Sequence, residues 1–271
     1  MLRVSFQGER GAFSEDAAIK LFGPDIDFLP CLRIRDAFQS VADDKAEFGV
    51  VPVENSQAGS INETYDLLLA YPLHIFAEVV LRVSHCLMAL PGQRVDDIGT
   101  VYSHPQALAQ CEEYLNRLDV EVVPSYDTAG SAKMISEKGL RGCAAVASGR
   151  AASIYGLEVL APEIETNVNN YTKFFAVSKR QAEAWRKNKT SLVFAARHVP
   201  GALYSILGIF ASRNINLTKL ESRPSRSKPW EYIFYADFEG CLEDEVPQEA
   251  LGELKSQTLF VKILGSYPQA Q

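Results

Sequence analysis

The chain has 271 residues, 47% of them hydrophobic and 23% charged, which is typical of a soluble globular protein with two or three domains. Its net charge of −7 argues against non-specific binding to nucleic acid. The sequence contains no apolar run as long as a membrane span, and no signal-peptide core precedes the first predicted strand. The five cysteines are widely spaced and the four histidines show no metal-binding spacing. These features predict a cytoplasmic protein without a membrane, nucleic-acid or metal partner.

Strands and helices alternate through the first 180 residues, which predicts an α/β fold. A strand over 2–6 leads into a glycine-containing loop, and Ser14 is the expected N-cap of a helix that Gly23 ends. Such a loop can bind an anion on backbone N–H groups, although many strand-to-helix turns need glycine for shape alone. The other predicted elements are helices over 34–42, 61–70, 128–137 and 150–155, the last capped by Ser148 and closed by Gly156, and strands over 48–53, 75–80, 85–90, 101–102, 120–123 and 143–147.

A polar run, Glu54-Asn55-Ser56-Gln57, follows the buried strand over 48–53. The carboxyl end of a strand in an open α/β sheet is where ligand sites lie, although ordinary turn residues account for the run equally well. Ser60 and Glu63 form a capping box for the next helix, and that role explains them.

A second motif is Ser103-His104-Pro105-Gln106, followed by Gln110. A capping box accounts for Ser103 and Gln106, with Pro105 tolerated in the first turn. Capping does not account for Gln110, which shares a helix face with Gln106 because the two are four residues apart. The pair predicts a neutral, donor-rich anion site at the positive end of a helix.

A third motif runs from Asn169 to Phe175, where Thr172 and Lys173 precede an apolar run. Strand alternation places Thr172 on the face of Phe174 and Lys173 on the opposite face. Taken alone, this pattern is typical of a solvated strand end. If the strand ends or twists here, both polar side chains reach a cleft.

From about residue 190 the order is βαββαβ, which predicts a ferredoxin-like α+β module after a charged linker. The apolar face of its first helix carries Leu203, Ile206, Leu207 and Phe210. Such a module exposes strand edges, which often pair between subunits. Its other elements are predicted as strands over 191–196, 215–220, 232–238 and 259–264 and a helix over 248–256.

Four stretches in this order resemble the prephenate dehydratases that carry a C-terminal ACT regulatory domain: residues 54–56, 103–106 with 110, 170–174, and Glu221-Ser222-Arg223-Pro224. The resemblance implies conversion of prephenate to phenylpyruvate, water and carbon dioxide in L-phenylalanine synthesis, without a cofactor or metal. It implies a catalytic region over 1–180 of two α/β lobes like those of periplasmic binding proteins. Lobe one covers about 1–75 and 165–180, and lobe two about 76–164. A linker over 181–189 and the ACT domain over 190–271 follow.

The resemblance also implies which residues form the sites. Thr172 is the main catalytic residue, with Asn55, Ser103 and Gln110 in the same site. The substrate-binding positions are Lys173, Gln106, Glu54, Ser56, Ala12 and Phe13. The positions expected to bind phenylalanine are Gly201, Ala202, Leu203, Asn214, Asn216, Leu217, Glu221 and Ser222. The family usually has Arg in place of Lys173 and Thr in place of Ala12, so a bidentate clamp becomes a point charge and one hydroxyl is lost.

The chemistry of prephenate sets two tasks for such a site. The protein must hold two carboxylates, which suits Lys173 and the helix N-termini near Ala12 and Ser103. It must also assist the departure of hydroxide while the ring becomes aromatic. A threonine hydroxyl is a poor acid, so we expect Thr172 to donate a hydrogen bond to the leaving oxygen or to relay a proton from water. Glu54 is an alternative acid if burial raises its pKa.

Two other functions stay open at this point. The first is arogenate dehydratase activity, in which the same reaction takes place on the aminated substrate. The second is a non-catalytic amino-acid sensor, which would bind phenylalanine without turnover. The combination of Asn55, Ser103, Gln110 and Thr172 favours an enzyme.

Regulation is expected at paired ACT domains, in a homodimer or homotetramer that assembles through its ACT and catalytic domains. Gly201 lets the backbone approach a ligand at a helix start. Leu203 contacts the phenylalanine ring or packs in the core, and Asn214 binds the ligand or ends the helix.

Overall fold

The computed structural model describes residues 1–183, 188–225 and 232–270. They form two compact units: Met1–Thr64 with Val79–Phe174, and Tyr65–Glu78 with the described part of Phe175–Gln271. Residues 184–187 of the predicted linker lie outside the described residues. Within the described chain, no helix combines the length and apolar character needed to cross a membrane.

The first sheet has the spatial order β2 (Asp27–Cys31), β1 (Arg3–Gln7), β3 (Phe48–Asn55), β11 (Tyr171–Ser178) and β5 (His74–Arg82). The two-residue strand β4 (Gly59–Ser60) pairs with the end of β3. Strand β1 is parallel to β2 and β3, and the carboxyl end of β3 brings Asn55 beside β11. The helices of this part are α1 (Phe13–Phe22), α2 (Ile34–Ala42) and α3 (Asn62–Ala70).

The second sheet has the order β10 (Glu158–Ala161), β6 (Cys86–Ala89), β9 (Cys143–Ala147), β7 (Thr100–Ser103) and β8 (Glu121–Pro124). Strand β10 was not predicted. The helices are α4 (Pro105–Gln110), α5 (Glu112–Leu115), α6 (Thr128–Lys138) and α7 (Gly149–Tyr155). Alanines such as Ala132, Ala145 and Ala151 share one buried core, which allows helices to lie close to the sheet.

The third sheet has the order β13 (Leu217–Pro224), β14 (Tyr232–Glu239), β12 (Lys189–Ala196) and β15 (Thr258–Tyr267). With α8 (Ala202–Ala211) and α9 (Glu245–Gln257), it gives the predicted order βαββαβ. Phe194, Phe210 and Phe238 are almost fully buried in its core. The predicted fold class, two α/β lobes followed by a ferredoxin-like domain, is confirmed.

Three predicted serine N-caps are wrong. Ser14 lies inside the first turn of α1, where Ala12 is the N-cap residue and provides no side-chain bond. Ser60 belongs to β4, because α3 begins only at Asn62. Ser103 ends β7 and donates its hydroxyl to the Val146 carbonyl at 2.6 Å.

The actual cap of α4 is His104, whose Nδ1 accepts from the Gln106 N–H at 3.2 Å. The predicted cap of α7 is confirmed, since the Ser148 hydroxyl accepts from the Ala151 N–H and Gly156 ends the helix in a left-handed conformation. Ser148 can accept from its helix and also donate to the Gly11 carbonyl, whereas Ser103 belongs to strand β7, so it does not stand at the N-cap position.

The second unit contains a buried charged cluster, which we call the Lys189 cluster. The Lys189 ammonium lies 2.9 Å from Glu78 and 3.3 Å from Asp237. Ser191 donates to Asp237 at 2.5 Å and lies 2.6 Å from the Tyr267 hydroxyl. Glu78 falls within the predicted catalytic region, yet its partner belongs to β12. A cut near residue 180 would therefore leave this carboxylate without its cation.

Candidate active site

A cavity of about 170 Å³ opens in the first unit. Residues from β3, β11 and α1 of the first lobe face residues from α4 and α6 of the second. Six of the predicted site positions line it: Ala12, Phe13, Asn55, Gln106, Gln110 and Thr172.

The orientation of the Asn55 amide follows from its backbone partners. Its Oδ1 accepts from the N–H groups of Gln57 at 3.0 Å and Ala58 at 2.9 Å. The Nδ2 group must therefore point the other way, where it donates to Asn170 Oδ1 at 2.7 Å and to Thr172 Oγ1 at 2.9 Å. Asn55 is a buried donor toward the cavity side of β11.

The Thr172 hydroxyl is consequently directed toward a ligand. Its oxygen already accepts a hydrogen bond from the Asn55 amide. Its own proton has no acceptor within the part of the chain that the structure describes. Because Thr172 lines the cavity, this O–H is oriented to donate to whatever binds there.

The orientation of the Gln110 amide follows from its bond with Asn170. Since Asn170 Oδ1 accepts from Asn55, the Asn170 Nδ2 group donates, and it reaches Gln110 Oε1 at 3.0 Å. The Gln110 Nε2 group then has no partner among the described residues, and Gln110 lines the cavity. We call Asn55, Asn170, Thr172 and Gln110 the amide network. It leaves two donors, one hydroxyl and one amide, for a ligand.

Lysine and arginine do not supply anion binding in this cavity, because none of the described residues that line it is Lys or Arg. The first N–H groups of α1, at Phe13 and Ser14, have no partner in the described chain, and both residues line the cavity. The ten-residue helix α1 therefore presents free N–H groups and the positive end of its dipole to a ligand.

Four predicted site residues lie outside the cavity lining. Ser103 is fully buried, with its hydroxyl bonded to the β9 backbone. Lys173 points to the other face of β11, where its ammonium lies 3.6 Å from Glu54. Strict strand alternation thus separates Lys173 from Thr172. Ser56 accepts from the Tyr171 N–H at 3.0 Å and so joins the ends of β3 and β11.

The glycine loop over 8–11 joins the two lobes. The Glu9 N–H donates to Asp127 at 3.1 Å, and the Gly11 carbonyl accepts from Ser148 at 2.7 Å. A Cβ on Gly11, whose φ is +85°, would lie 2.7 Å from the Ala151 backbone. Glycine is needed here because α7 approaches the loop so closely. The loop positions the start of α1 against the second lobe.

Among the cavity residues that sequence reasoning missed, His85 and Asp127 are two with shifted pKa values. His85 is 2% exposed, its Nε2 lies 2.9 Å from Gln110 Oε1, and burial lowers the pKa of its imidazole. Asp127 is the N-cap of α6, and burial raises the pKa of its carboxyl although backbone N–H groups act against that rise. N-cap preference signals Asp127 in the sequence. Nothing local signals His85.

The C-terminal domain has a separate cavity of about 400 Å³, lined by Ala202 and Leu203 among others. Gly201, with φ of +81°, is the N-cap of α8 in a left-handed conformation that favours glycine. Asn214 also has a positive φ, just after α8, which fits the chain reversal at a helix end. The remaining predicted effector residues lie outside this lining: Gly201, Asn214, Asn216, Leu217, Glu221 and Ser222.

The chain matches two known protein families. Residues 4–182 match the prephenate dehydratase family and residues 190–256 match the ACT domain. Arogenate dehydratase/prephenate dehydratase 1, chloroplastic, of Arabidopsis thaliana is 44% identical over 283 residues, which cover 98% of this chain and 72% of the relative.

Two solved structures share the complete fold. Prephenate dehydratase from Arthrobacter aurescens in complex with L-Phe has a TM-score of 0.89 and 30% identity, covering 99% of this chain and 90% of that one. GqqA, described as a novel type of quorum quenching acylase, also has a TM-score of 0.89, with 35% identity over 98% of this chain and 97% of that one.

The fold and the site define a class of protein: a two-lobed α/β enzyme with a donor-lined cleft and an ACT domain. The chain belongs to the prephenate dehydratase family. It is a carbon–oxygen lyase of aromatic amino-acid synthesis, a prephenate/arogenate dehydratase with an ACT regulatory domain.

Proposed function

We propose that this chain converts prephenate to phenylpyruvate, and that L-phenylalanine inhibits it through the ACT domain. The observation that carries the first part is the amide network, which ends in two unpaired donors at the cavity. Departure of hydroxide from the ring builds negative charge on one oxygen. Oriented donors stabilise such charge without reorganising during the reaction.

The chemical step balances without a cofactor. The bond between the ring and its carboxylate breaks, and its electron pair enters the ring as carbon dioxide leaves. The ring expels the hydroxyl at the opposite carbon, which becomes water when it takes a proton. Thr172 donates its hydrogen bond to this leaving oxygen, and solvent supplies the proton, because a threonine hydroxyl is too weak an acid to give up its own.

The substrate carboxylates have uncharged partners available. The free N–H groups at the start of α1 suit one carboxylate, and the Gln110 amide suits a second polar group. Lys173 is not needed for this arrangement, since it pairs with Glu54.

The lining favours prephenate over arogenate. Arogenate carries an ammonium that requires an acceptor, and Asp127 is the one carboxylate among the described lining residues. Its Oδ2 already accepts from the N–H groups of Glu9 and Gly130, each at 3.1 Å, and burial raises the pKa of this carboxyl, which makes it a weaker partner for an ammonium. A keto group makes no such demand.

An acylase activity, which the GqqA comparison raises, finds less support. Acyl transfer through a side-chain nucleophile needs a base beside it. Among the described residues of the cavity, Thr172 is bonded to an amide, His85 to Gln110 and His104 to the Gln106 N–H, so no hydroxyl–histidine hydrogen bond forms.

Phenylalanine binding is proposed at the start of α8, where Ala202 and Leu203 border the second cavity and Gly201 is the N-cap residue beside them. Ser222 and Glu221 lie on β13, outside that lining, and β13 is an edge strand of its sheet. A second copy of the chain pairing along this edge would bring such residues to a shared site. We therefore propose a homodimer or homotetramer, located in the cytoplasm, and size-exclusion chromatography with light scattering tests the assembly.

The deciding experiment is turnover by the purified full chain. Prephenate, arogenate and an N-acyl homoserine lactone are supplied in parallel, with and without L-phenylalanine. We expect phenylpyruvate and carbon dioxide in equal amounts from prephenate, slower formation of phenylalanine from arogenate, and inhibition by L-phenylalanine. Acyl hydrolysis without dehydration would overturn the proposal, and phenylalanine binding without any turnover would identify a sensor.

A further inference from the structure

A buried histidine adjoins the amide network. The His85 side chain is 2% exposed, and its Nε2 lies 2.9 Å from Gln110 Oε1. The imidazole forms a T-shaped contact with the Phe13 ring, with 5.5 Å between the two ring centroids. His85 thus touches two residues of the cavity lining, but its own contact with the network is with Gln110.

The tautomer of His85 follows from the chain of amides. Asn55 Oδ1 accepts two backbone N–H groups, so Asn55 donates to Asn170, and Asn170 donates to Gln110 Oε1. Gln110 Oε1 is therefore an acceptor. A second group at 2.9 Å from it must be a donor, so the proton of the neutral imidazole is on Nε2.

The remaining nitrogen supports this assignment. His85 Nδ1 is buried and has no partner among the described residues. A proton there would be an unpaired buried donor, and a doubly protonated ring would be a buried cation, whereas a bare nitrogen is the least costly of the three states.

We propose that His85 is a positioning residue that, together with Asn170, sets the direction of the Gln110 amide. Two donors on Oε1 exclude the flipped amide, because its NH₂ group would then face the donors of both neighbours. The flipped amide would present an oxygen to the cavity, where the substrate is an anion. His85 therefore acts through Gln110, whose amide it keeps oriented as a donor toward the substrate. This inference rests on the proposed dehydratase function.

A matched pair of variants tests the proposal. Glutamine and methionine have similar length, but only glutamine carries a donor at the position of Nε2. We expect His85→Gln to keep kcat/KM for prephenate within about fivefold of the unmodified chain, and His85→Met to lower it by about tenfold or more. Equal losses in both variants would mean that His85 acts only through packing, and near-normal activity of His85→Met would overturn the proposal outright.

A spectroscopic measurement reads the tautomer independently of activity. The full chain is labelled with ¹⁵N-histidine, and the His85 signals are assigned by their absence in His85→Gln. The expected result is a neutral ring with its proton on Nε2 at pH 7. A proton on Nδ1 would overturn the proposal even if the enzyme turns over prephenate, whereas absence of turnover with the expected tautomer would count against the proposed function alone.

Discussion

The amide network and the Lys189 cluster are both buried polar groups, but they differ in what they leave unpaired. The Lys189 cluster is charged and closed: its ammonium meets two carboxylates, and Ser191 and the Ala270 N–H satisfy further oxygens. The amide network is neutral and open: every amide oxygen is occupied, while the Thr172 hydroxyl and the Gln110 amide have no partner in the described chain. The comparison indicates that leftover donors beside a cavity distinguish a functional polar cluster from a structural one.

The largest effect is expected at the closed cluster. Lys189→Met leaves Glu78 and Asp237 buried without their cation, so we predict that the free energy of unfolding falls by roughly 3–5 kcal/mol. Urea unfolding followed by circular dichroism measures the change. The matched control is Lys45→Met, which removes an exposed ion pair with Asp43 and should cost less than about 1 kcal/mol. Equal losses in the two variants would contradict a special role for the buried cluster.

The open network should respond in rate rather than in stability. Thr172→Ala removes the donor to the leaving oxygen, so we predict that kcat falls by roughly a hundredfold or more. The free energy of unfolding should change little. Thr172→Ser should retain part of the rate, while Thr172→Val, which preserves shape, should not. Steady-state kinetics with prephenate decides, and near-normal turnover in the folded Ala variant would remove Thr172 from the mechanism.

Asn55→Asp tests the direction of the network with almost no change in shape. A carboxylate cannot donate, so the Thr172 hydroxyl would turn to donate to it and away from the substrate. We predict that kcat falls by about tenfold to a hundredfold. Asn169→Asp makes the same chemical change at an exposed position nearby and should leave kcat unchanged. If both variants behave alike, the hydroxyl direction inferred from Asn55 is wrong.

Regulation should change without a change in basal rate when Ser222 is altered. If Ser222 binds the effector at a shared edge, Ser222→Ala should weaken inhibition by L-phenylalanine by about two- to tenfold, the range of one hydrogen bond. The full chain must be used, because removing residues after 179 would also remove the cation that pairs with Glu78. Ser256→Ala, in the same domain on α9, is the control. Unchanged inhibition in Ser222→Ala would place the effector elsewhere.

The smallest effect is expected at Lys173. Its ammonium pairs with Glu54 outside the cavity lining, so Lys173→Ala should change KM and kcat for prephenate by less than about threefold. Lys173→Arg should be tolerated as well. A large increase in KM for the Ala variant would show that this side chain reaches the substrate, contrary to its placement on β11.

Much of the fold could be predicted because its signals are local. The bounds of α2 and β9, the Ser148 cap and the order βαββαβ follow from periodicity and capping within a few residues. The cap predicted at Ser14 failed because α1 begins one residue earlier. The caps predicted at Ser60 and Ser103 failed because these residues belong to β4 and β7. The amide network could be predicted only in part, since its bonds join residues 60 and 117 positions apart, and the His85 contact spans 25.

The central claim is that the cleft presents Thr172 and Gln110 as donors to the substrate. The direct test is a crystal structure of the full chain with a saturated-ring analogue of prephenate. Such an analogue keeps both carboxylates and the ring hydroxyl but cannot aromatise. We predict that Thr172 Oγ1 lies within about 3 Å of the ring hydroxyl and that Gln110 Nε2 lies within about 3.2 Å of another analogue oxygen. An analogue bound with its ring hydroxyl beyond hydrogen-bond distance of Thr172, and with Lys173 on a carboxylate, would contradict the account.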